Sequence, residues 1–218
     1  MRRCCTRKRF LTTLFLLQQS VEKAAKGLYI LYSKESKKKI RKIGHKDPFL
    51  FLEIFKTFSS KYLDALKFFD PNWEVSDFVN AFDKMMGRKL KLARMDKNGI
   101  LKLVEIPRKA LDANSDIGKK IKELWAKAGA SEEIKKFDAG IDANRGDMPA
   151  KHLEQIYAFY SLLVLCFLTF PHVTSTRYYG ELISPDEYKK GLGIVDAARV
   201  LFGEMEKLLP IVERQLES

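Results

Sequence analysis

Apolar residues recur every three or four positions over most of this chain, with polar residues filling the intervals. That period places a stripe on one face of an α-helix. The first such stretch predicts a helix from about Lys8 to Ser33, with Phe10, Leu14, Leu17, Val21, Ala24, Ala25, Leu28 and Leu31 on one side. Gln18, Gln19, Glu22, Lys23 and Lys26 fall largely on another. A second helix runs from Pro48 to Phe69, where Asp47 can cap it and Pro71 stops it. It carries Phe51, Phe55, Phe58, Tyr62, Leu66 and Phe69. A third begins near Pro149 and ends near Phe170, before Pro171. The fourth opens at Ser184, with Pro185 at its first position and Glu187 completing a capping box. Its expected stripe is Tyr188, Leu192, Val195, Ala198 or Arg199, Phe202, Met205, Leu209 and Val212.

Residues 72–148 have another texture. Val75 to Met86 reads as a short helix, and so does Ser115 to Ala128, ended by Gly129. Ser131 caps a further turn or two. Between them, apolar residues alternate on both sides of Asp96-Lys97-Asn98-Gly99, which predicts a β-hairpin over 89–106. The expected fold is mainly α. An antiparallel four-helix bundle spans 8–69 and 150–216, interrupted by an insertion over 72–148 holding a small α+β segment with that hairpin.

Charge changes this picture by its distribution. Of the net +12, residues 1–9 hold +5 in Arg2, Arg3, Arg7, Lys8 and Arg9. Residues 34–46 hold +6 in Lys34, Lys37, Lys38, Lys39, Arg41, Lys42 and Lys46 against Glu35. These two segments give +11, so the remainder is nearly neutral as a sum. Localised basic charge suits a polyanionic partner. The three cysteines, Cys4, Cys5 and Cys166, give no C-x-x-C and no even framework, so a reducing, cytoplasmic setting is expected. Basic Met1–Arg9 and the apolar run after it lack the small-residue cleavage pattern of a secretory signal. The apolar run Ile156–Phe170 is shorter than the ~20 residues a membrane helix needs, so a core helix and no membrane partner are expected.

Several chemistries lack their residues. There is no P-loop and no dinucleotide glycine fingerprint. His45, His152 and His172 have no i,i+4 histidine partner and no bracketing carboxylates, so no metal and no cofactor is expected. Arg145-Gly146-Asp147 reads as a loop tripeptide.

Two stretches carry a resemblance. One is Gln18-Gln19-Ser20-Val21-Glu22-Lys23-Ala24-Ala25-Lys26, followed after the basic loop by Gly44-His45 and a helix. The other is Arg177-Tyr178, a loop, and a helix containing Ala197-Ala198-Arg199. In order and spacing they resemble the HEPN family, the higher eukaryote and prokaryote nucleotide-binding helical bundles. The family's usual leading helix has no counterpart here. The chain would begin inside the second helix of the family bundle or pack differently there, and the 72–148 insertion departs from the compact pattern.

Catalytic members of that family are metal-independent ribonucleases using an Arg, four to six intervening residues and a His. The His would act as acid or base, and the Arg would stabilise phosphorane charge. Arg177 has no His at those distances. Arg145 and His152 have six residues between them, but the pair precedes the third helix and spans Pro149. The resemblance therefore implies a noncatalytic nucleotide- or RNA-binding module, often homodimeric and often paired with a minimal nucleotidyltransferase in a toxin–antitoxin or defence-like system. The binding residues it implies, together with the charge, are Lys37, Lys38, Lys39, Arg41, Lys42, His45, Arg177 and Tyr178. Arg145 and His152 are the candidates if the chain cleaves RNA.

Overall fold

The computed structural model describes residues 2–33, 49–54, 56, 74–110, 112–127, 129–138, 151–178 and 182–217. Among them the protein is mainly helical, with no strand. The helices are α1 (Arg2–Ser33), α2 (Val75–Met86), α3 (Lys89–Ala93), α4 (Lys97–Ala110), α5 (Asp116–Lys127), α6 (Ser131–Asp138), α7 (Lys151–Tyr178) and α8 (Gly193–Glu217). Residues 49–54 are also helical, and a 3-10 turn spans Pro185–Glu187.

The core forms where α1, α7 and α8 pack on one another. Leu17, Val21, Ala25 and Leu28 of α1 are buried, as the spacing of three and four requires. In α7 the apolar run is buried on nearly every side, from Tyr157 to Leu168, because α1, α3, α4 and α8 all contact that helix. Residues 49–54 close one side: Phe51 meets Phe159 edge-on at 5.5 Å, and Phe49 meets Phe82 of α2 at 5.6 Å.

The hairpin expected over 89–106 is not formed. The segment folds as α3 and α4 instead. Asp96 caps α4: its Oδ1 accepts the Gly99 N–H at 2.7 Å, while its carbonyl accepts the Ile100 N–H. Among the described residues the positive-φ glycines are Gly129 and Gly191 and not Gly99, so the left-handed turn of a tight hairpin is absent there. The residues that alternate also satisfy helical spacing. Ile100, Leu103, Val104 and Pro107 turn inward, leaving Lys102, Glu105 and Lys109 outside. Tertiary packing decides between the two periods, because α7 and α8 offer an apolar face along the whole length of α4.

Two stop signals also behave differently from expectation. Pro171 lies inside α7, which continues to Tyr178. An interior proline costs a helix roughly 3 kcal/mol, and here both Pro171 and His172 are buried in the packed part of α7. Half of the Ser184 capping box forms: Glu187 Oε1 accepts the Ser184 N–H at 2.9 Å, while the Ser184 hydroxyl accepts the Asp186 N–H at 3.4 Å. It closes only the 3-10 turn, and the long helix starts nine residues later at Gly193. The inward face of α8 keeps Val195, Met205 and Val212 of the expected stripe and adds Ala197, Leu201, Leu208 and Ile211, whereas Leu209 is exposed.

Gly193 marks a close approach. A Cβ there would lie 2.0 Å from the Met95 carbonyl oxygen, so the first turn of α8 sits directly on the α3–α4 turn. Eleven residues on, Glu204 meets Arg108, twelve after Asp96. These two contacts set α4 and α8 parallel and in step. Lys89 over Phe170 and Arg108 on Tyr157 set the same segment antiparallel to α7. At the far end Gly27 of α1 faces Leu216 of α8. An up-and-down order would hold the C-terminal ends of the first and last helices apart, and here they meet.

Candidate functional site

The signature residues of α1 form one polar cluster inside the bundle. Gln18 is 2% exposed and Glu22 4%. The Gln18 side-chain N–H donates to Glu22 Oε2 at 3.0 Å, and Gln19 donates to both Gln18 Oε1 and Glu22 Oε2. Lys26 pairs with Glu22 Oε1 one turn on. Burying a carboxylate is costly unless it is paired and hydrogen-bonded, and Glu22 has both kinds of partner on its own helix. The i,i+4 pair thus joins a buried carboxylate to a half-buried ammonium.

Arg177 and Tyr178 are the last two residues of α7. Since Lys89 of α3 lies over the Phe170 ring, 5.2 Å from its centroid, they stand about two helical turns beyond that contact, at the end of the bundle where α3, the start of α4 and the start of α8 converge. A cation there complements the carbonyl end of α7. His152 lies in the first turn of α7, at the opposite end of that 28-residue helix from Arg177. Lys37, Lys38, Lys39, Arg41, Lys42, His45 and Arg145 lie outside the described residues.

Two further polar sites escape local sequence reading. At the first, Arg108 of α4 donates to Tyr157 Oη at 3.3 Å, and its Nη2 lies 2.7 Å from each Glu204 oxygen. Lys207 Nζ adds a longer contact at 3.6 Å. Burial works against the Arg108 charge, yet Tyr157 and Glu204 outweigh it and its pKa is raised. The partners stand 49 and 96 residues away, so no local pattern signals them. The second is His172, whose Nδ1 is 2.8 Å from the Tyr188 hydroxyl, with the two rings edge-on. Its Nε2 is buried with no hydrogen-bond partner. Desolvation lowers the pKa of this imidazole to about 4, so it is neutral at neutral pH.

None of these clusters assembles a nucleophile, a base and an orienting group around open space. Arg108 is paired with Glu204 and bonded to Tyr157, and His172 is enclosed. Among the described residues no group of three His, Cys, Asp or Glu side chains could hold a metal ion, and no helix is long and apolar enough to cross a membrane. Comparison with protein-family models, curated proteins and solved structures finds no match for this chain.

Proposed function

We propose that this chain is a noncatalytic, HEPN-like helical module that binds a nucleotide or RNA through phosphate contacts. The observation that carries the reading is the placement of +11 of the net +12 in two short segments, one at the start of the helix that bears Gln18-Gln19 and Glu22-Lys23-x-x-Lys26 and one following that helix in sequence. Phosphate neutralisation by clustered Lys and Arg is the main source of affinity for such ligands. The burial of Gln18 and Glu22 supports a division of labour: these residues satisfy one another along α1, and the ligand is left to the cations. Lys37, Lys38, Lys39, Arg41 and Lys42 supply charge, and His45, Arg177 and Tyr178 are the further contact residues. By the same resemblance the module works as a homodimer beside a nucleotidyltransferase-type partner in a toxin–antitoxin or defence-like system.

Salt dependence tests the reading directly. Affinity for a labelled single-stranded RNA should fall by an order of magnitude or more between about 50 and 200 mM salt if several phosphates are neutralised. Replacing Lys37, Lys38 and Lys39 with Ala should weaken binding and flatten that dependence. Affinity that is the same at both salt concentrations would refute phosphate-based binding.

A further inference from the structure

The remainder of the chain is neutral only as a sum. Residues 84–109 hold nine basic residues against Asp96 and Glu105, a net +7, which acidic residues elsewhere conceal in the total. The fold turns this segment into an elbow. The end of α2, the short α3 and the start of α4 are joined by two tight turns, Gly87-Arg88 and Arg94-Met95-Asp96.

The inner side of the elbow is apolar and committed. Phe82 packs edge-on against Phe167 of α7, and Leu92, Ala93 and Ile100 are buried. With that side filled, the charged residues face outward. Lys84, Arg88, Lys91, Lys97 and Lys102 are all exposed, and none has an ion-pair partner among the described residues. Of the neighbouring carboxylates, Asp83 is exposed next to Lys84, and three others are engaged elsewhere. Asp96 caps α4, Glu105 pairs with Lys109, and Glu187 pairs with Arg94. An ordinary solvated helix face interleaves its cations with i,i+4 acids, and this one does not.

We propose that the outer face of the α2–α4 elbow is a second phosphate-contact surface, which extends the path of a bound RNA strand beyond the end of α7. This rests on the reading of the chain as a phosphate-binding module and specifies its ligand. A single nucleotide would not need it. From Arg88 through α3 to Lys102 of α4, helical rise alone covers about 15 Å. That exceeds the reach of one phosphate group and matches several successive phosphates of a polymer. No aromatic residue lies between Lys84 and Lys102 along the chain, so the surface follows the backbone and is not built to read bases. It stands toward the same end of the bundle as the last turn of α7.

The test uses the full chain and a fluorescein-labelled uridine homopolymer. Lys91, Lys97 and Lys102 are changed together to Gln, and separately to Arg. Each single-strand phosphate contact contributes about 0.7 to the slope of log affinity against log salt. The Gln variant should lose about 2 from the magnitude of that slope, and the Arg variant should keep it. Thermal melting should be unchanged in both, because the side chains are exposed. If the Gln variant keeps the wild-type slope while the Lys37/Lys38/Lys39 variant loses it, the elbow proposal is wrong and the phosphate-binding reading stands. If the wild-type chain binds no RNA at low salt, both fail. Salt-sensitive binding to phosphatidylserine vesicles without binding to RNA would assign the elbow to a membrane surface and overturn the proposal.

Discussion

Acid should destabilise this protein through His172. In the folded state the imidazole is enclosed, with its pKa lowered from 6.5 to about 4 by desolvation. In the unfolded chain it titrates near its ordinary value. Between those two values the unfolded state binds a proton that the folded state refuses, so stability falls as pH drops through the window. Above it, both states are neutral, and below it, both are charged. At about pH 5 the loss is about 2 kcal/mol, and it saturates at about 3 kcal/mol below the folded pKa. The assay is urea unfolding of the wild type and of His172→Phe at neutral pH and near pH 5. The Phe variant keeps a ring at the site but loses the bond to Tyr188. That loss costs roughly 1 kcal/mol at every pH and drops out of the comparison. Other titrating groups are common to both proteins and cancel. The wild type should lose about 2 kcal/mol more than the variant across the two conditions. Equal losses, or an imidazole that titrates near 6.5 in the folded protein by NMR, would refute the reasoning.

Other consequences are as direct. Gly193→Ala should lower the melting temperature by several degrees, because its Cβ meets the Met95 carbonyl and forced overpacking costs about 1–3 kcal/mol. Gly203→Ala, where a Cβ meets nothing within 4 Å, should raise stability by up to about 1 kcal/mol by helix propensity. A melt in which the two substitutions behave alike would contradict the close seat of α8. Glu204→Ala leaves Arg108 half-buried without its carboxylate and should cost about 2 kcal/mol, the side chain's partial exposure softening the penalty of a stranded charge. Adding Arg108→Met should recover part of that cost, and a double-mutant cycle with no coupling would show that the pair contributes nothing.

Local spacing carried a good share of this fold into view. Val75–Met86 forms over the limits its periodicity predicts, and Gly129 ends α5 with positive φ as a helix-terminating glycine should. Tyr188 was expected inside and is fully buried. The failures share one cause. At Asp96-Lys97-Asn98-Gly99 the hairpin signal and the helix-cap signal use the same residues, and only the apolar faces of α7 and α8, some 60 to 100 positions later, select the helix. Pro171 reads as a stop because a local rule sees its missing N–H and not the helices packed around it. The Ser184 capping box forms by half and closes a shorter element than expected. The same division holds for the polar groups. Gln18, Glu22 and Lys26 follow one another at spacings of four on one helix, so their association needs only that helix, whereas Arg108 with Glu204 and His172 with Tyr188 depend on the tertiary fold.

The seat of α4 between α7 and α8 also bears on how the chain is made. Arg108 leaves the ribosome 96 residues before Glu204, an interval of roughly 5–20 s at ordinary rates of synthesis. During that time α4 has no carboxylate for its arginine and no floor under Ile100, and the turn at Met95 has not met the glycine that will rest on it. The nascent chain must therefore carry an uncovered basic and apolar elbow until its last helix emerges. A stop codon placed just before Gly193 should consequently yield aggregation or degradation in the cell in place of a smaller folded product.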